Sequence, residues 1–141
     1  MKLKLVITTV VLLCLAFIGA FVPFEATDVP EWRIRVIDQA GRPVAGVTVQ
    51  QYWKNYTLDR EPGEHTEEKQ SDANGHLTFD RRTSKASVAG RLAMTALRLA
   101  LMLAHGSIGV TARVTEPDSL TTLRYERGRP LPHEIIVFRS P

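Results

Sequence analysis

Trp32-Arg33-Ile34-Arg35-Val36-Ile37-Asp38, Gln39-Ala40-Gly41-Arg42-Pro43 and Val44-Ala45-Gly46-Val47-Thr48-Val49 follow one another without a break. From Trp32 to Val36 apolar and charged residues alternate, the period of a strand with one wet face. Gln39 to Pro43 reads as a turn, because glycine tolerates positive φ and proline ends strand pairing. A second strand runs from about Val47 to Trp53, with Val47 and Val49 on one face and Thr48 and Gln50 on the other.

Outward from this unit the pattern repeats. Lys54 to Gln70 is polar, contains Pro62-Gly63, and passes into an exposed strand near Thr66 to Ser71. Asn74-Gly75 is a strong turn signal with Leu77 and Phe79 alternating after it, so Thr66 to Asp80 is expected to be a hairpin closed by a type I′ turn. Further strands are expected at Ile108 to Val114, Leu120 to Tyr125 and Ile135 to Arg139. Many short strands joined by Gly/Pro turns predict a mainly β fold, a β-sandwich.

One segment breaks the pattern. Ser84 to His105 is rich in Ala and Leu and ends before Gly106, which predicts an inserted α-helix over 84–105 with Ser84 as its N-cap. Val88, Leu92, Leu99 and Leu103 fall within about 60° of one another and form the expected core stripe. Ala89, Ala93, Ala96, Ala100 and Ala104 make an adjoining small face. Met94, Leu97 and Leu101 cover the next sector, beside Arg91 and Arg98. Residues Arg91, Met94, Leu97, Arg98 and Leu101 are therefore the candidate membrane or partner surface, an apolar patch rimmed by positive charge. The alternative is that Glu116 to Pro132 covers this sector.

The start of the chain is of another kind. Leu5 to Phe24 carries no formal charge and follows Lys2 and Lys4, the pattern of a membrane anchor or signal peptide. An uncleaved anchor, a cleaved signal and lipid attachment at Cys14 are the three readings. In each the basic end stays in the cytoplasm and the remainder is exported. The expected division is 1–24 leader, 25–31 spacer and 32–141 one domain. The whole chain has 18 basic and 15 acidic residues, a net charge of +3. Without Lys2 and Lys4 the balance is 16 to 15, so nothing in it points to nucleic acid. Cys14 is the only cysteine, which excludes disulfides and thiol chemistry from the domain.

The segments Val36-Ile37-Asp38, Gly41 to Val49, Ser71-Asp72-Ala73-Asn74-Gly75 and Leu77-Thr78-Phe79 together resemble the carboxypeptidase regulatory-like domain. The resemblance covers about Arg33 to Asp80. It implies a transthyretin-like Greek-key β-sandwich and a non-catalytic module on exported or surface proteins. The helix after the hairpin departs from the family pattern. The same fold includes hydroxyisourate hydrolases, and Phe138-Arg139-Ser140 is loosely similar to their C-terminal Tyr-Arg-Gly-Ser, without its glycine.

Other chemistry has weaker signals. His65 lies among Glu64, Glu67 and Glu68, a conceivable metal cluster with no defined ligand spacing. Asp72-Ala73-Asn74-Gly75 resembles part of a calcium loop but lacks its distant Glu. His105 and Ser107 are near neighbours without a Gly-x-Ser-x-Gly setting. Asn55-Tyr56-Thr57 is a glycosylation sequon. The expectation is an exported, membrane-tethered module with a binding or structural role in the cell envelope, using no cofactor. Its partners are the membrane, through the leader, and an envelope protein or anionic lipid. An envelope hydrolase or weak metal binder is the competing class.

Overall fold

The computed structural model describes residues 2–102, 107–117 and 121–137. Its elements are α1 (Lys2–Phe21), β1 (Phe24–Val29), β2 (Trp32–Ile37), β3 (Thr48–Asn55), β4 (His65–Gln70), β5 (His76–Phe79), β6 (Arg82–Ala86), α2 (Val88–Met102), β7 (Val110–Thr115), β8 (Thr122–Arg124) and β9 (Glu134–Ile136). Strands dominate. They form a three-stranded sheet in the order β5-β2-β9, a four-stranded sheet in the order β4-β3-β7-β8, and a two-stranded ribbon of β1 and β6.

The alternation in β2 does what it predicts. Trp32, Ile34 and Val36 are buried while Arg33 and Arg35 are exposed. They meet Leu77 and Phe79 of β5 and Ile135 of β9 in one core, which Val49 of β3 and Ala112 and Val114 of β7 complete from the other sheet. The indole of Trp32 donates to the Pro132 carbonyl at 2.7 Å, so its one polar atom is satisfied in the interior. Buried Ser71 clamps the entry to β3: its hydroxyl donates to the Val44 carbonyl at 2.8 Å and accepts from the Val47 amide at 3.0 Å.

The expected hairpin at Thr66 to Asp80 does not form. β4 pairs with β3 and β5 pairs with β2, so the turn between them carries the chain from one sheet to the other. Leu77 and Phe79 bury more by joining Trp32 and Ile34 than by lying beside the polar His65–Gln70. The turn is also centred one residue earlier than a type I′ turn on Asn74-Gly75. Gly75 donates to the Asp72 carbonyl at 2.9 Å, and the Asp72 carboxylate accepts from the Asn74 and His76 amides at 2.8 Å each. Those amides, His76 first, hold the Asp72 carboxyl below its ordinary pKa.

The segment read as a spacer, 25–31, holds most of β1. This strand pairs antiparallel with β6, with Phe24 opposite Ala86 and Glu25 opposite Lys85. Its composition is polar because little of it is buried, Asp28 and Val29 being the exceptions. The inserted helix starts later than expected, since β6 occupies residues 82–86. Ser87, not Ser84, is the cap, accepting from the Gly90 amide at 3.1 Å. The expected helix end at 103–105 lies outside the described residues, as do 118–120 and the ending 138–141.

α1 is apolar, and its Lys4–Phe21 stretch has no buried residue and is long and apolar enough to cross a membrane or to serve as a signal. Its Thr9 hydroxyl is satisfied by the Leu5 carbonyl at 2.9 Å. Only Val22 and Pro23 separate α1 from β1.

Among the described glycines Gly75 has the least room for a side chain. Its φ is +75°, and a Cβ there would stand 2.5 Å from the Val36 carbonyl oxygen. Gly75→Ala is expected to destabilise the protein by about 2–4 kcal/mol, strain plus displaced backbone. Gly41→Ala, with φ +76° and open space around it, should cost only about 1–2 kcal/mol. Denaturant titration of both variants checks this; equal losses would contradict the close approach.

Candidate functional site

α2 is held to the domain by its polar side. Arg91, Met94, Thr95 and Arg98 recur at helical spacing and are half-buried. The Arg91 guanidinium lies 4.9 Å from the centre of the Phe24 ring and donates to the Ser84 carbonyl at 2.9 Å. Arg98 donates to the Asp59 carbonyl at 3.2 Å. Beneath them runs a buried polar network. The Asp28 carboxylate accepts from the Asn55 amide group at 2.9 Å and from the Ser84 hydroxyl at 3.0 Å. The Asp59 carboxylate accepts from the Asn55 backbone amide at 2.9 Å and meets His65 at 3.2 Å. Residues from β1, β3, β6 and the turn after β3 are thus locked under the helix.

The opposite side of α2 is open. Leu92, Leu97, Leu99 and Leu101 are 65, 50, 52 and 49% exposed, and Val88 at the helix start is 46% exposed. Ala93, Ala96 and Ala100 lie between them, also exposed. No charged residue falls on this arc. The expected core stripe of Val88, Leu92 and Leu99 therefore faces outward, and Leu103 lies outside the described residues. The reason is that the sheets already close their core without it, while the ground beneath the helix is polar and suits arginine. Of the five candidate surface residues, Leu97 and Leu101 are on the open arc and Met94 is half-buried at its edge. Arg91 and Arg98 turn inward, so they do not rim the patch.

α1 and α2 touch. The β1–β6 ribbon explains why: Phe24, three residues past the end of α1, pairs with Ala86, two residues before the start of α2. Both helices emerge from one end of one ribbon.

The other candidates are dispersed. His65 stacks on Trp53, with ring centres 5.4 Å apart. Glu64 pairs with Arg113 at 2.7 Å, Glu67 pairs with Arg82, and Glu68 accepts from Gln50. Successive strand residues point to opposite faces, which separates this acidic run; among the described residues no three His, Cys, Asp or Glu side chains converge on a metal position. Asn55 of the sequon is buried with its amide nitrogen given to Asp28, so the folded chain offers no acceptor there. Ser107 is exposed and His105 lies outside the described residues. Comparison with protein-family models, with curated proteins and with solved structures finds no match.

Sequence reasoning misses the Asp28–Asn55–Ser84 network, whose members are far apart in the chain, and the pairing of Lys85 across from Glu25. Asp28→Ala strands two donors and is expected to cost about 1–3 kcal/mol. Thermal melts of this variant and of the exposed control Asp80→Ala check the point, and equal melting temperatures would contradict it.

Proposed function

We propose that the chain is a non-catalytic, membrane-tethered β-rich module on the extracytoplasmic side, with a binding or structural role in the cell envelope, whose α2 helix rests in the interface of the bilayer that α1 crosses. The single observation that carries the reading is the outward, uncharged arc of α2 beside an apolar helix with no buried residue over Lys4–Phe21. A 15-residue helix of about 22 Å with one wholly apolar side fits an interfacial helix lying in the membrane plane. Half-burying its large side chains in acyl chains contributes on the order of 1 kcal/mol each. The link of Val22 and Pro23 leaves the ribbon no room to drift from the membrane. Lys2 and Lys4 favour a cytoplasmic start and an exported domain. The resemblance to the carboxypeptidase regulatory-like domain, with its transthyretin-like Greek-key sandwich, belongs to the same proposal; two sheets sharing one core support it.

A reporter enzyme that works only outside the cytoplasm, fused after Pro141, is expected to be active. An inactive fusion from stably made protein would overturn the orientation. A chain beginning at Phe24 is expected to float with vesicles of phosphatidylcholine and phosphatidylglycerol. Leu97→Glu with Leu101→Glu should abolish flotation and leave the melting temperature within a few degrees. A large loss of stability would mean that the arc is packed against protein, and flotation of the double variant would mean that it does not meet lipid.

A further inference from the structure

At the corner where the two helices leave the ribbon there is a cavity of about 330 Å³, lined by Leu58, Arg60, Lys85, Ala86, Gly90 and Met94. Its charge is one-sided. Arg60 and Lys85 are its ionisable groups, both exposed, and no carboxylate lines it among the described residues. Among the described residues neither cation forms an ion pair: Glu25 is the cross-ribbon neighbour of Lys85 but is not bridged to it, and the Asp59 carboxylate is taken by Asn55 and His65. Two cations without an ion pair among the described residues, over a floor of Leu58, Ala86 and Met94, make an anion site with an apolar side.

The position supplies the source of the anion. Ala86 pairs with Phe24, which lies three residues, at most about 10 Å of chain, beyond the end of α1. The cavity therefore opens at the level where a spanning α1 meets the headgroups. Met94 continues into Leu97 and Leu101 at i+3 and i+7, an apolar row of about 10 Å running from the cavity along the exposed arc.

We infer that this corner binds an anionic phospholipid, its phosphodiester between Arg60 and Lys85 and an acyl chain along Met94, Leu97 and Leu101. The inference rests on the membrane reading above and adds a specific lipid to it. Guanidinium and ammonium both donate charge-assisted hydrogen bonds to phosphate oxygens. The apolar row selects a lipid over free phosphate.

Titration of the full-length chain in nonionic detergent with dioctanoyl phosphatidylglycerol, read by native mass spectrometry, tests it. Saturable binding of one lipid is expected, with dioctanoylglycerol binding far more weakly and inorganic phosphate failing to displace the lipid. Arg60→Gln with Lys85→Gln should weaken binding about tenfold or more. Met94→Trp, which fills the cavity without touching its charge, should do the same. Arg124→Gln, an exposed cation outside the cavity, should bind as wild type. Unchanged affinity in the double variant, an equal loss in Arg124→Gln, or displacement by inorganic phosphate would each overturn the site. If the double variant binds normally while the wild-type arc still carries vesicles, only the lipid site falls. If the wild-type arc does not meet vesicles, both readings fall.

Discussion

The two arginines of α2 decide how the molecule presents itself. Arg91 and Arg98 reach inward to the Ser84 and Asp59 carbonyls, over ground that Asp28 and Asn55 have made polar. A helix docked by its cations must turn its leucines out. Nothing else in the fold would force this, because the sheets close a complete core of their own around Trp32, Ile34, Phe79 and Ile135. The docking is not free: the Nε of each arginine is buried without a partner, a cost of about 1–3 kcal/mol apiece. Burial of the outward leucines in an apolar environment would be a gain of comparable size. The orientation makes energetic sense when the environment outside α2 is apolar.

The ribbon converts that orientation into position. Two residues separate β1 from α1, one separates β6 from α2, and the antiparallel pairing of the strands brings both junctions to one end. The apolar helix α1, the outward arc of α2 and the cationic corner thus fall together at one end of the ribbon. A long flexible spacer in place of β1 would leave the domain free to tumble, and neither the arc nor the cavity would keep a fixed place relative to α1.

How much of this was legible in the chain depends on how local its cause is. The alternation of Trp32 to Val36 and of Leu77 to Phe79 is local, and those strands were readable because each side chain's burial follows from its own type. β1 was hidden because its buried polar residue, Asp28, is satisfied by Asn55 and Ser84, 27 and 56 residues away. The turn at Asp72 to Gly75 was visible as a turn, but which sheets it joins is set by the cross-strand partners of Leu77 and Phe79. Helix α2 was legible as a helix with three apolar sectors. Its facing was not, because it is set by the Ser84 and Asp59 carbonyls that Arg91 and Arg98 meet only after folding. The patch at Leu97 and Leu101 was found, yet for a different geometry, with Arg91 and Arg98 placed on its rim rather than beneath it. Lys85 stands in the densest basic stretch of the chain, Arg81 to Arg98, but Arg60 carries no sequence signal, since 25 residues separate it from Lys85 before folding joins them at one cavity.

Nitroxide scanning of α2 in the full-length chain, with Cys14→Ala and reconstitution into phospholipid vesicles, tests the central claim most directly. Labels at Leu92, Ala96, Leu97 and Ala100 are predicted to relax with dissolved oxygen more than with a water-soluble nickel chelate, and a label at the exposed Arg35 of β2 to do the reverse. Nickel-dominated relaxation along the arc, or shielding from both reagents, would contradict the account.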